Sequence, residues 1–228
     1  MTENTHAHAA VSAKDENDAA SSKAGLKASK RKFLHAATTG LVAGVAVPLI
    51  TGSASVFAAP RRSGKILIAY YSRTGTTREV ANQIQRQTGG TLFELQTTHS
   101  YPKEYRATTN QAKKEQQAAF RPKLTAEVQD AASYDLVFIG FPNWWDTLPM
   151  AFFSFLEQYR FAGKTLIPFC THEGSHFGSS LNDVRAICPN ATLLEGLALR
   201  DGGIDKVQSD SAQRDVSDWL RKIGLLNG

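Results

Sequence analysis

Three short segments hold side chains whose types and order can work together chemically. Ser72-Arg73-Thr74-Gly75-Thr76-Thr77 sets hydroxyls and an arginine directly before a helical pattern. A helix start there offers unpaired N–H groups and partial positive charge, so the segment is built to wrap a phosphate. No lysine follows the glycine as a triphosphate loop requires, and no G-x-G-x-x-G is present. Phe141-Pro142-Asn143-Trp144-Trp145-Asp146-Thr147-Leu148-Pro149 brings two adjacent indoles into a loop. Left in water they would form a sticky apolar patch, and a flat aromatic ligand gives them a reason. One of the two is expected to pack as core under the following helix. Thr171-His172-Glu173-Gly174-Ser175-His176-Phe177-Gly178 combines titratable groups with glycines that let backbone approach a ligand closely.

Positioning these segments falls to alternating apolar runs and amphipathic stretches, the pattern of a parallel sheet covered by helices. Residues 66–71 read as a strand buried on both faces, being apolar throughout. Residues 91–96 form a second strand whose mixed polarity suits a sheet edge. Further strands are expected at 134–140, 164–170 and 192–199. Helices are expected at 77–88, where Val80, Ile84 and Gln87 share a face, and near 149–159, 178–187 and 209–223. Right-handed crossovers make this an α/β three-layer sandwich with a five-stranded parallel sheet. Ligands in such a fold sit at the carboxyl ends of the strands, where the three segments fall.

Residues 97–130 form a polar insert, longer than an ordinary connection, with a helix expected at 103–119. It reads either as a lid over a site or as a solvated crossover helix. Tyr101, Tyr105 and Arg106 within it are conceivable substrate contacts. Cys170 and Cys188 are too far apart for a bridge, at the top of the fourth strand and beyond the bottom of the next helix, so both are expected as free thiols. Beyond the first 58 residues the net charge is +3, which carries no argument for a nucleic-acid partner.

The chain opens differently. Residues 1–28 are small and polar, read as a disordered lead-in. Ser29-Lys30-Arg31-Lys32-Phe33-Leu34 then runs into a mildly apolar segment that ends in Val56-Phe57-Ala58-Ala59, with small residues where a signal peptidase reads. The basic cluster resembles the twin-arginine export motif, with Lys30 standing where the first arginine is expected; a Sec-type leader is the alternative, and the long polar lead-in, modest apolarity and Phe33-Leu34 pair favour the folded-protein route. Residues 1–58 are therefore read as lead-in plus export signal and residues 59–228 as the folded domain. Export to the periplasm or beyond follows, with cleavage after Ala58 or retention as an anchor; the membrane enters only through this leader.

Ile68, Tyr70, Ser72, Gly75, Thr77, Ala81 and Ile84 fit the signature that opens the flavodoxin family, and Ala69 departs from it where a larger apolar residue is usual. The later Pro-Asn-Trp-Trp and Thr-His-x-Gly-Ser wording resembles a subgroup of small flavodoxin-like proteins. The resemblance spans residues 64–224 and implies a sheet of order 2-1-3-4-5 that binds flavin mononucleotide (FMN). Carried onto this chain, it places Ser72, Arg73, Thr74, Gly75, Thr76 and Thr77 at the phosphate. It places Pro142, Asn143, Trp144, Trp145, Thr171, His172, Glu173, Gly174, Phe177 and Gly178 around the ring; no metal ligand and no catalytic acid or base is identified.

Because FMN is inserted in the cytoplasm, a route that exports folded protein agrees with the cofactor. Outside the cytoplasm nicotinamide cofactor is scarce, which points to a redox partner protein or the membrane quinone pool for electrons. Two activities stay open: an electron carrier, or an FMN-dependent reductase of a quinone or other small acceptor. Arg73, His172 and His176 beside Asp146 and Glu173 form a mixture of charges that would make the fully reduced couple less negative than in an acidic flavodoxin, because a positive group near the ring stabilises the reduced anion.

Overall fold

The computed structural model describes residues 63–227. The lead-in, the twin-arginine-like cluster and the cleavage after Ala58 lie outside these residues.

Short runs rich in branched and aromatic side chains form the sheet: β1 (Ile66–Tyr70), β2 (Thr91–Glu94), β3 (Leu136–Pro142), β4 (Thr165–His172), β5 (Thr192–Leu193) and β6 (Leu197–Arg200). All pairings are parallel, in the order β2-β1-β3-β4-β5, with β6 also on β4. The expected order 2-1-3-4-5 is present, and β2 lies at the edge as its polarity requires. Alternation along each strand feeds two cores. Leu67, Ala69, Val137, Ile139, Leu166 and Cys170 face one side, while Ile68, Tyr70, Phe138, Ile167 and Phe169 face the other.

Helices α1 (Thr76–Thr88) and α6 (Asp210–Lys222) cover the second face through Val80, Ile84, Val216, Trp219 and Leu220. Helices α3 (Met150–Tyr159) and α4 (Ser180–Ile187) cover the first through Phe152, Phe155 and Val184. The insert supplies α2 (Tyr105–Gln117), begun by the Glu104 carboxylate, which accepts from the N–H groups of Arg106 and Ala107. In α1 it is Gln83, rather than Gln87, that joins the buried set; its Nε2 donates to Val207 O at 2.7 Å. That bond ties α1 to α5 (Ile204–Gln208), a helix not anticipated from the sequence.

The fifth strand, expected as one run over 192–199, is broken in two. Leu166 pairs with Leu193 and Phe169 with Leu197, so the edge takes four steps where β4 takes three. The cause is Pro168, which has no N–H to offer its neighbour, so the edge bulges past it with one extra residue. Gly196 fills the bulge, since a Cβ there would lie 2.7 Å from Pro168 O. The displaced carbonyl of Glu195 accepts from Trp219 Nε1 at 3.0 Å. Beyond the bulge pairing resumes up to His172 opposite Arg200. This is why β4 ends two residues later than expected; β3 likewise runs on to Pro142.

Both cysteines are free and buried, as the strand and helix placement required. Burial pushes the Cys170 thiol up to about 12 and the Cys188 thiol up to about 11, so neither is a nucleophile at neutral pH.

Candidate functional site

The carboxyl ends of β1, β3, β4 and β6 open onto a cavity of about 840 Å³, within the size range of cofactor sites. One end is the start of α1. Gly75 occupies its N-cap in the left-handed region (φ 95°), no side chain caps the helix, and the Thr74, Thr76 and Thr77 hydroxyls stand around its first turn. The Gly75 N–H donates to Ser72 Oγ at 3.2 Å, and Thr74 and Thr76 share a 3.2 Å hydroxyl contact. Buried Thr77 and Thr171 link α1 to β4 through their hydroxyls at 2.9 Å. Uncapped amides, hydroxyls and the helix dipole converge as an anion requires.

The opposite wall is aromatic. Trp144 and Thr147 exchange backbone hydrogen bonds of 2.9 and 3.2 Å, closing a turn whose central residues, Trp145 (φ 50°) and Asp146 (φ 70°), both have positive φ. A left-handed tryptophan is costly and persists only where its surroundings hold it. Here Trp145 Nε1 donates to Thr109 O at 2.8 Å, and Gln116 Nε2 donates to Trp145 O at 3.1 Å, both from α2. Ser179 clamps the other side, its N–H and Oγ donating to Asp146 O at 2.7 and 2.9 Å. Gly178 (φ 51°) makes the clamp possible, because a Cβ there would run into the Asp146 backbone.

Of the two indoles Trp144 is the half-buried one, packed against the core that α3 covers and meeting Tyr71 (5.4 Å) and Tyr101 (5.1 Å) edge-on. The Tyr101 hydroxyl donates to Glu115, and burial plus that carboxylate push its proton affinity up. Tyr71 is likewise raised, chiefly by burial. Trp145 stays 45% exposed, with Lys113 Nζ over its ring at 4.5 Å.

The insert forms a wall of the cavity through Tyr105, Thr108, Thr109 and Ala112. Arg73 holds it to the phosphate-type loop, donating to Lys103 O at 2.7 Å and lying 5.9 Å from the Tyr105 ring. Arg106 is not in the wall. Of the residues singled out from sequence, Arg73, Thr74, Thr76, Thr77, Pro142, Asn143, Trp144, Trp145, Thr171, His172 and Glu173 line the cavity. Ser72, Gly75, Gly174, Phe177 and Gly178 do not; Phe177 turns inward, 6.3 Å from the Phe141 ring, and the glycines shape the loops. Sequence reasoning missed Asp201, Gly202, Gly203, Ile204 and Asp205. The Asp-Gly-Gly turn after the last strand was the available signal, since it too sits at a strand end.

His172 closes β4 and is only 4% exposed, with its ring centroid 4.4 Å from that of His176. Burial first, then His176 and Arg200, lower its proton affinity, with Asp201 opposing, so the imidazole is neutral at pH 7. His176 is outside the wall, and the wall adds Asp201 and Asp205 to Glu173 against Arg73. The surrounding is thus a mixture of charges: Glu173, Asp201, Asp205 and Arg73 line the wall, and Arg200 stands opposite His172 on the neighbouring strand.

A family model described as flavodoxin matches residues 65–223. The chain belongs to the flavodoxin family. Among solved structures it is similar to two proteins provisionally designated flavoproteins. The one from Bacteroides eggerthii DSM 20697 has 28% identity and TM-score 0.61, over 72% of this chain and 100% of that one. The one from Bacteroides uniformis ATCC 8492 has 29% identity and TM-score 0.60, over 70% and 99%. A flavoprotein from Lactobacillus acidophilus NCFM, solved in complex with FMN, shares the fold at 23% identity and TM-score 0.53, over 61% of this chain and 94% of that one. No curated protein matches. The lining of the flavodoxin cavity fits a phosphate-bearing flat ligand, with an uncapped helix start and threonine hydroxyls at one end and two indoles at the other. Buried Arg73 Nε, Asn143 Oδ1 and His172 Nδ1 have no hydrogen-bond partner among the described residues, and all three belong to its lining. Each such atom costs about 1–3 kcal/mol while unmet.

Proposed function

We propose that this flavodoxin binds FMN in the strand-end cavity and transfers electrons outside the cytoplasm, exported folded behind its twin-arginine-like leader. The observation that carries the reading is one continuous cavity with an uncapped, threonine-ringed helix start at one end and an indole pair at the other. FMN, when bound, supplies one- and two-electron redox chemistry, and the protein's residues hold and shield it. In this reading Arg73, Thr74, Thr76 and Thr77 hold the phosphate, with Ser72 and Gly75 shaping the loop that presents them. Pro142, Asn143, Trp144, Trp145, Thr171, His172 and Glu173 border the ring, while Gly174, Phe177 and Gly178 set the loop behind it. In the same reading, the Pro-Asn-Trp-Trp and Thr-His-x-Gly-Ser segments support membership of a subgroup of small flavodoxin-like proteins.

Electrons pass to or from a redox partner protein or the membrane quinone pool. A second reading, reduction of a quinone or similar small acceptor, draws support from the mouth, where Tyr105, Trp145 and Ile204 are 65%, 45% and 43% exposed. Purified protein given FMN should turn yellow and quench the fluorescence of the added cofactor at micromolar concentration. Folded protein that stays colourless and leaves the fluorescence unchanged ends the reading. With cofactor bound, slow electron exchange limited by a protein partner marks the carrier, whereas steady turnover of a quinone marks the reductase.

A further inference from the structure

His172 sits in the wall of the cavity yet is more than nine-tenths buried. Its backbone is fixed by the β6 pairing and by the Asp201 N–H, which donates to its carbonyl at 2.7 Å. The side chain, by contrast, is unmet. No described residue hydrogen-bonds either ring nitrogen, and only Nδ1 is sealed from solvent, which leaves Nε2 as the nitrogen a ligand in the cavity can reach. A buried imidazole with no protein partner is expensive unless something in the cavity completes it.

We propose that His172 is the proton acceptor coupled to reduction of the bound flavin, neutral beside the oxidised ring and protonated when the ring becomes anionic. The inference rests on the FMN reading above. The groups facing His172 explain why it is poised. His176 lies against its ring, Arg200 comes from β6, Asp201 follows β6, Glu173 is its chain neighbour, and Arg73 and Asp205 share the cavity wall. Burial, His176 and Arg200 keep it neutral, and Asp201 alone pulls the other way. One new negative charge in the same cavity tips that balance. The Cys170 thiol, raised by burial to about 12, and the buried Tyr71 and Tyr101 hydroxyls already hold their protons and cannot answer it by taking up another.

The balance is simple. An external donor, dithionite in the test, is oxidised and gives the ring two electrons; the ring takes one proton and is left anionic. A second proton from solvent bonds to the imidazole nitrogen that lacks one. The wild-type protein therefore takes up roughly two protons per electron pair across the pH range between the two His172 titration points, against roughly one without the imidazole.

Two measurements test this on the full chain loaded with FMN. Potentiometric titration against pH should give roughly two protons per electron pair in the wild type, roughly one in His172→Gln, and an unchanged two in His176→Gln. In ring-labelled wild-type protein, the NMR signal of His172 should titrate below the ordinary histidine range when oxidised. On reduction by dithionite it should shift upward by about one pH unit or more. Equal proton uptake in wild type and His172→Gln, or a His172 signal that titrates at the same pH in both redox states, overturns the proposal. Should His172→Gln lose FMN, the wild-type NMR titration decides alone. Failure of wild-type protein to bind FMN is visible as the absence of flavin absorption and removes the FMN reading, taking this inference with it. A yellow protein without the histidine shift removes the inference only.

Discussion

At the scale of single residues the site is organised by groups held in positions they would not choose alone. Trp145 and Asp146 keep positive φ because α2 and Ser179 bond the turn from both sides. His172 keeps a neutral ring because burial, His176 and Arg200 oppose its charge. The second has a consequence for stability. With the folded-state proton affinity below that of the unfolded chain, whose histidine titrates near 6.5, the unfolded state binds more protons as pH falls below that point. Stability of the cofactor-free protein should thus decline as pH drops from about 6.5 through the folded-state value, and be free of this contribution above it. Urea midpoints at pH 7 and pH 5 should differ more in wild type than in His172→Gln. Parallel losses in both proteins would place the acid sensitivity elsewhere.

At the scale of elements, the bulge opposite Pro168 decides where the site begins. The extra edge residue lets β6 rejoin β4 and carry it to His172, and the turn after β6 then delivers Asp201 to the cavity. A side chain at position 196 would press on Pro168 O and on the Phe177 ring, 2.7 and 2.6 Å from a new Cβ. Gly196→Ala should therefore lower unfolding free energy by about 1–3 kcal/mol, the usual cost of overpacking. Chemical denaturation checks the size. Fluorescence of the Trp144–Trp145 loop should report weaker FMN quenching as well, because Phe177 backs that loop. A Gly196→Ala protein with wild-type stability would mean the edge can slide without strain.

Across the whole molecule, two apolar layers of similar make-up sandwich the sheet, and the cavity lies at its carboxyl edge, where neither layer closes over. A ligand that binds this edge only in the folded state should stabilise the entire fold. At a hundredfold excess over its dissociation constant, FMN should add about 2.7 kcal/mol and raise the melting temperature by roughly 5–10 °C for a domain of this size. Differential scanning fluorimetry with FMN, and with riboflavin, which lacks the phosphate, measures it. Equal shifts from both would deny the α1 start any role in phosphate binding.

Most of the architecture was readable before any coordinates, because a buried parallel sheet demands continuous apolar strands and its helices demand a single apolar face. Ile66–Tyr70 and the face of Val216, Trp219 and Leu220 show both patterns openly. The three strand-end loops were readable too, since hydroxyls before a helix and paired indoles in a loop are rare without a purpose. Distance along the chain hid the rest. That Asp201 and Arg73 line one cavity, that Gln83 holds Val207, and that Trp144 leans on Tyr101 depend on segments far apart in sequence meeting in space. The charge state of His172 was hidden for the same reason: the residues beside it in sequence name its chemistry, but burial and the approach of Arg200 and His176 set whether it carries a proton.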